Sequence, residues 1–330
     1  MTAKQQEFSV LLYGAGAVGL GIASCLLKAG TPTTLLARPH TAGPLRQEGL
    51  VRKGIFGEAF FPPSAFRVYE SPEEISDIRY DFILVCTKSS DTLSAAKNLS
   101  VHSKLLTPSG LIVLFQNGWG NAEIFSDFFP KETIYNARVI TGFIRPKPNV
   151  VEITVHADAV HIGSLFGESA EPPTPLCRAI SAGGIPCQTT TQIGKDLWAK
   201  MLYNCALNPL GAVLDVPYGK LAEHPSTRHI MDRLIEETFD VMLADGYSTH
   251  WENAEKFKSA FYNQMVPSTA AHRSSTLQDL KAGKKTEIEA LTGAVLRLAQ
   301  KHRRAVPCSA FLYHLIAFIE SRNNQNPRND

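Results

Sequence analysis

Phe8 to Tyr13 (FSVLLY) is a short apolar run ending against a glycine, and Ala17 to Ala29 follows as a segment rich in Ala, Leu and Ile. The pattern predicts a strand, a tight turn and a helix. Thr33 to Ala37 reads as a second strand and Phe66 to Tyr69 as another. Asp81 to Cys86 (DFILVC) and Leu111 to Phe115 (LIVLF) are the continuous apolar runs expected of strands buried on both faces. Helical stretches around Asp91 to Leu99 and Ala122 to Phe128 separate them, as the crossovers of a parallel sheet require. The first half is therefore expected to be an α/β, doubly wound sheet. Val151 to Val155 and Ala159 to Ile162 read as an added pair of strands, Glu171 to Pro175 (EPPTP) starts another connection, and sheet character continues to about Gln192.

After Gly194 the period changes. Leu197 to Leu207, Thr227 to Ala244, Trp251 to Tyr262, Glu287 to His302 and Ser309 to Ser321 all fit helical spacing, so the second domain is expected to be mostly helical. Within Thr227 to Ala244, the residues Ile230, Met231, Leu234, Ile235, Val241 and Met242 form one core-facing stripe. Two domains result, 1–191 and 192–330, consistent with a length of 330 residues, which exceeds the usual size of one hydrophobic core. The tail from Asn323 to Asp330 is polar and is expected to fray.

Composition narrows the classes. Hydrophobic residues make up 44% and charged residues 19%, the balance of a globular chain, and a formal net charge of +2 with scattered Lys and Arg gives no global attraction to nucleic acid. The segment Met1 to Phe8 lacks the apolar core of a signal peptide, and no apolar run is long enough to span a bilayer, so a cytoplasmic location is the expectation. The six cysteines are widely spaced without CxxC pairs and are expected to be reduced and buried; the ten histidines form no compact ligand motif, so no metal is expected.

Gly14-Ala15-Gly16-Ala17-Val18-Gly19 satisfies GxGxxG between the first strand and the first helix. The first glycine allows the tight turn, the second lets backbone approach a pyrophosphate, and the third permits close helix packing, with the helix N-terminus facing the phosphates. At the end of the second strand, where a carboxylate would bind the ribose hydroxyls of NAD, the chain has Ala37-Arg38. A guanidinium pairs with a 2′-phosphate, so NADP is the expected cofactor; the alternative is a plain surface arginine. Lys88 after DFILVC and Asn117 after LIVLF stand at further strand ends, where open α/β sheets bind ligands, although loop chemistry accounts for either alone.

Lys200, Asn204 and Asn208 are spaced four apart in the otherwise apolar segment LWAKMLYNCALNPLGAVL, which puts them on one helix face. Buried amides and an ammonium need partners, and a polar ligand could supply them; alternatively the asparagines bond nearby backbone, Lys200 reaches water, and Pro209 makes Asn208 a helix-end residue. A protonated lysine is suited to protonate an alkoxide developing at a reduced carbonyl. Thr286 and Glu289 form a capping-box pattern at the start of a long amphipathic helix. That leaves Glu287 as the freer carboxylate, kept ionised by the helix N-terminus; a surface glutamate is the alternative.

These residues carry a resemblance. GAGAVG at Gly14 to Gly19, CTK at Cys86 to Lys88, QNGWGN at Gln116 to Asn121, WAKMLYNCALNPL at Trp198 to Leu210 and RSSTLQDLKAGKKTEIE at Arg273 to Glu289 occur in the order found in ketopantoate (2-dehydropantoate) reductases, and the chain resembles that family along nearly its whole length. The resemblance implies a Rossmann-like domain followed by a helical domain similar to the C-terminal part of 6-phosphogluconate dehydrogenase, with the active site in the cleft between them. It implies reduction of a 2-oxo acid, ketopantoate, by NADPH in pantothenate and coenzyme A biosynthesis. By motif position it implies Lys200 as proton donor, Asn204, Asn208 and Ser275 as substrate contacts, Glu287 near both the cofactor and the lysine, and Arg38, Lys88 and Asn117 as cofactor contacts.

Two departures fall on the substrate side: Tyr218 and His272 stand where relatives often have asparagine. They leave open a related reductase acting on another 2-oxo or 3-oxo acid, and a non-catalytic NADP-binding sensor is the alternative from another class. The implied partner is a small molecule, with neither nucleic acid nor membrane; a homodimer is left open.

Overall fold

The computed structural model describes residues 8–76 and 78–325. The N-terminal segment 1–7 and residues 326–330 of the polar tail lie outside them. Two compact units form: the chain to Gln116 together with Asn121–Ile193, and Asn117–Gly120 together with the chain from Gly194 onward.

The first unit contains, in order, β1 (Val10–Tyr13), α1 (Ala17–Lys28), β2 (Thr33–Leu36), α2 (Pro39–Glu48), β3 (Leu50–Gly54), β4 (Ala59–Phe61), β5 (Arg67–Tyr69), β6 (Tyr80–Val85), α3 (Thr92–Val101), β7 (Leu106–Leu114), α4 (Asn121–Ser126), β8 (Ile134–Lys147), β9 (Val150–Gly163), α5 (Thr174–Ala182) and β10 (Cys187–Thr189). They build one ten-stranded sheet in the order β4-β3-β9-β8-β7-β6-β1-β2-β5, with β10 on β9. The run β5-β2-β1-β6-β7-β8 is parallel throughout. Strand order reverses at β1, so the carboxyl ends of β1 and β6 border the switch point where such sheets bind ligands.

The apolar runs are explained by the two covered faces. Val10 and Leu12 join a core with Leu20, Ile22 and Leu26 of α1, whereas Leu11 joins another with Ala95 and Leu99 of α3 and Phe125 of α4. With successive side chains sent to opposite faces and each face covered by helices, every position of a central strand must be apolar.

Beyond residue 130 the sheet departs from the periodicity reading. The runs Val151 to Val155 and Ala159 to Ile162 are one strand, β9, and its antiparallel partner is β8. The polar residues His156 and Asp158 that seem to divide the runs lie where the β8–β9 register shifts, so the polar break marks bulging rather than a turn. Glu171 to Pro175 leads into helix α5, which interrupts the sheet before β10. Helix α2 and the β3–β4 hairpin were not signalled by periodicity.

The second unit contains α6 (Ile193–Leu214), α7 (Tyr218–Glu223), α8 (Pro225–Ala244), α9 (Ala254–Ala260), a π-helical turn (Phe261–Met265), α10 (Val266–Ser268), α11 (Ser275–Lys281), α12 (Thr292–Lys301) and α13 (Pro307–Gln325). On α8, Met231, Leu234, Ile235, Val241 and Met242 are buried as the stripe predicts, with Ile230 at its margin. Buried Glu237 of α8 accepts from Cys308 N (2.9 Å), Ser309 N (2.8 Å) and Ser309 Oγ (2.7 Å), which satisfies donors at the start of α13. Asn253 caps α9 by accepting from Lys256 N at 2.9 Å, so that helix starts later than Trp251. Helix α13 extends to Gln325, into the segment expected to fray.

Among the described residues no helix is long and apolar enough to cross a membrane. Cys25, Cys86, Cys177 and Cys205 are buried, but Cys187 and Cys308 are partly exposed, contrary to the expectation that all are buried.

Candidate active site

In the first unit, the glycine turn joins β1 to α1. Gly14 has φ +112°, and a Cβ there would lie 3.0 Å from Thr87 N, so the ends of β1 and β6 meet too closely for another residue. A Cβ on Gly19 would fall 2.1 Å from Gly14 O, which makes the third glycine a packing requirement. Gly16 differs: a Cβ there would meet only Cys86 O, at 3.9 Å. The protein's own packing has no need of a glycine at 16, whereas a pyrophosphate approaching the backbone does. No side chain caps α1 at Gly16, so the first-turn N–H groups of α1 suit an anion. Ala15 lies in the turn, and Ala17 and Val18 open α1. These residues fit a dinucleotide.

Beneath the turn, burial pushes the Cys86 thiol well up, leaving it a protonated apolar contact. Lys88 is half-buried just after β6, and its carbonyl accepts from Gln116 Nε2 at 3.2 Å. The same Gln116 amide donates to Thr87 Oγ1 (3.2 Å) and Thr92 Oγ1 (2.9 Å), tying the ends of β6 and β7 to α3. Arg38, directly before α2, is exposed and pairs with Asp91 at 3.1 Å.

In the second unit, α6 carries Lys200, Asn204 and Asn208. Asn117 bridges two charged groups: its Oδ1 accepts from Lys200 Nζ at 2.6 Å, and its Nδ2 donates to Glu287 Oε2 at 2.8 Å. Only one amide orientation offers an acceptor to the ammonium and a donor to the carboxylate. The turn around Asn117 is built for this. Gly118 has φ +88°, and a Cβ there would come 2.5 Å from Ala290. Trp119 N donates to Ala290 O at 2.8 Å, and the Trp119 ring packs on Trp198 and Tyr247 with centroids 4.6 and 4.7 Å away. The QNGWG sequence thus fixes residues 117–120 against the turn that holds Glu287.

Asn208 is buried and its Oδ1 accepts from Tyr218 Oη at 2.6 Å. Helix α6 continues through Pro209 to Leu214, so Asn208 is not a helix-end residue. Asn204 is half-buried, and its amide has no hydrogen-bond partner among the described residues. Ser275 opens α11 with an exposed hydroxyl, while buried Ser274 does the capping, accepting from Leu277 N at 3.1 Å. The two departures are neighbours: the Tyr218 and His272 rings lie 5.3 Å apart, with Tyr203 5.8 Å from Tyr218. Burial raises the Tyr218 hydroxyl, raises that of Tyr203 to about 12, and lowers the His272 imidazole.

The capping box does not form. Helix α12 begins at Thr292, and 287–291 is a turn. Thr286 N donates to Glu320 at 2.6 Å and Thr286 Oγ1 accepts from Ile288 N at 3.2 Å, while Glu289 accepts from Tyr313 Oη at 2.5 Å. Glu287 therefore faces Asn117 from a turn rather than from the first turn of a helix. The bridging part played by Asn117 was missed by sequence reasoning, which read it as a strand-end residue and, by resemblance, as a cofactor contact. The signal available was Gly-Trp-Gly after it, a sequence suited to a sharp anchored turn.

The sequence model described as ketopantoate reductase PanE/ApbA matches residues 10–167, and that of ketopantoate reductase PanE/ApbA C terminal matches residues 192–320. The 2-dehydropantoate 2-reductase of Aquifex aeolicus (strain VF5) is 35% identical over 314 residues, covering 95% of this chain and 97% of that protein. A PanE/ApbA family ketopantoate reductase from Ralstonia eutropha JMP134 has the same fold with TM-score 0.83 at 27% identity, over 96% of this chain and 99% of that one. D-mandelate dehydrogenase, solved with NADH and anilino(oxo)acetate, gives TM-score 0.84 at 20% identity over 96% of this chain and 99% of that one, a likeness of fold. By its sequence along both units, the chain belongs to the ketopantoate reductase family.

Proposed function

We propose that this oxidoreductase reduces ketopantoate to pantoate with NADPH, and that Lys200 is the proton donor. The observation that carries the reading is the Lys200–Asn117–Glu287 chain of hydrogen bonds. A nicotinamide cofactor supplies the hydride that reduces the carbonyl carbon. Gly14, Ala15, Gly16, Ala17, Val18 and Gly19 would hold its pyrophosphate, and Arg38 and Lys88 its adenosine phosphate. Lys200 Nζ stabilises negative charge on the carbonyl oxygen and transfers a proton to it; the neutral amine left behind regains a proton from solvent. Asn117 fixes the ammonium through Oδ1, and Glu287, on the other end of the amide, supplies compensating negative charge. Asn204, Asn208 and Ser275 are the polar groups offered to the substrate's carboxylate and hydroxyl. With Asn208 Oδ1 taken by Tyr218, its Nδ2 is the atom available to an anionic oxygen.

The Tyr218–His272 contact favours one second reading, reduction of a different 2-oxo acid by the same residues. NADPH oxidation by the purified protein, with ketopantoate beside a panel of branched and aromatic 2-oxo acids, separates the two. Highest kcat/KM for ketopantoate supports the first reading, and highest kcat/KM for another acid replaces it with the second. No oxidation with any acid, despite tight NADPH binding, contradicts both and identifies a sensor.

A further inference from the structure

We propose that Arg145 is a binding residue for the pyrophosphate of the dinucleotide, lying at the glycine turn from outside the GxGxxG sequence. Its Nη1 donates to Ala15 O at 3.1 Å and to Thr41 Oγ1 at 3.0 Å. Both acceptors are neutral, and no carboxylate among the described residues pairs with this half-buried guanidinium. Three other arginines of the unit meet acids: Arg38 pairs with Asp91 at 3.1 Å, Arg46 with Glu70 at 2.6 Å and Arg138 with Asp158 at 2.8 Å. Arg52 also lacks a carboxylate, but it is fully enclosed and bonds the carbonyls of Gly183 and Phe56. Arg145 instead stands beside a turn where Gly16 leaves open space and α1 has no side-chain cap. Burial lowers its pKa, and a bound anion would offset that cost.

The placement is built into the strand. Phe143 and Arg145 are two apart on β8 and so share a face. Phe143 packs where Gly21 of α1 lacks a side chain, a Cβ there falling 2.2 Å from the ring. Gly21 thus admits Phe143 against α1, and that contact sets Arg145 at Ala15, before the same helix. A guanidinium has five N–H donors; among the described residues Nη1 alone is bonded, which leaves the remaining N–H groups to meet phosphate oxygens. Arg38, at the end of β2, serves the 2′-phosphate in the reading above, so the two arginines divide the dinucleotide between them.

The inference rests on the chain binding a nicotinamide dinucleotide, and equilibrium binding tests the two separately. Titrations of NADPH, NADH, ADP-ribose and 2′-AMP are run against the wild type, Arg145→Met and Arg145→Lys, with thermal melting as the fold control. Arg145→Met is expected to weaken the three pyrophosphate-bearing ligands alike, by about 10- to 100-fold, the loss of a charge-assisted hydrogen bond. Binding of 2′-AMP should hold within about twofold, since it lacks the group contacted. Arg145→Lys keeps the charge and loses the fork, so it should fall between, and it carries the test should the methionine variant melt early. Unchanged NADH and ADP-ribose affinities, or a loss confined to NADPH, overturn the assignment. A wild type that binds no dinucleotide overturns the cofactor reading itself.

Discussion

Asn117→Ala removes the amide that joins Lys200 to Glu287, and the structure sets the size of the effect. Two short bonds disappear, at 2.6 and 2.8 Å, each to a charged group. Such bonds contribute about 1.5–3 kcal/mol each. Lys200 and Glu287 are only half-buried, so water replaces part of what is lost. The lower end then applies to the transition state, about 1.5–2 kcal/mol, or roughly a 10- to 30-fold fall in kcat. Deleting the general acid itself costs about 10²- to 10⁴-fold, so Asn117→Ala should rank clearly below Lys200→Ala. Steady-state kcat and KM for both single variants and the double variant, with NADPH affinity measured alongside, read this out. On the proposal that Asn117 acts through Lys200, the double variant should be no slower than Lys200→Ala alone. Two results refute the reasoning: multiplying losses in the double variant, or an Asn117→Ala protein with normal kcat and weakened NADPH. The second would make Asn117 a cofactor contact only.

Arg38→Ala should weaken NADPH by about 10-fold or more while leaving NADH nearly unchanged; Asp91→Asn, which frees Arg38 from its exposed partner, should tighten NADPH by a factor of about two to five. Equal changes for both cofactors would count against the phosphate pairing. Glu237→Ala strands the donors at the start of α13 and should lower unfolding stability by about 2–4 kcal/mol in urea titration; a loss under about 0.5 kcal/mol would show that water replaces the cap. Burial lowers the His272 imidazole below its ordinary value of 6.5. The unfolded chain therefore takes up that proton first, and stability falls as pH drops below about 6.5. His272→Asn should flatten that acid limb in denaturation midpoints compared at neutral and mildly acid pH; an unaltered limb would assign it to other groups.

The central strands and the glycine turn were legible because burial on both faces, or a φ only glycine tolerates, leaves few residue choices. Leu111 to Phe115 and Gly14 show this directly. The spacing of Lys200, Asn204 and Asn208 was legible for the same kind of reason, since polar groups on an apolar helix stand out. Periodicity failed where local sequence competes with tertiary contacts. The polar stretch in β9 looks like a turn, yet pairing with β8 carries it through as a bulged strand. Thr286 and Glu289 have the spacing of a capping box, but Glu320 and Tyr313 take their polar groups and the helix starts later. The partners of Asn117 and Arg145 were illegible, because they lie 83 and 170 residues away for the one and 130 and 104 for the other.

Lys200 as proton donor is tested most directly by one comparison: kcat of Lys200→Ala against wild type in ketopantoate-dependent NADPH oxidation, with NADPH affinity taken on the same preparations. A fall in kcat of about 10²- to 10⁴-fold with NADPH affinity held within a few-fold is the predicted result. Turnover close to wild type, or a loss explained entirely by weaker NADPH binding, would contradict it.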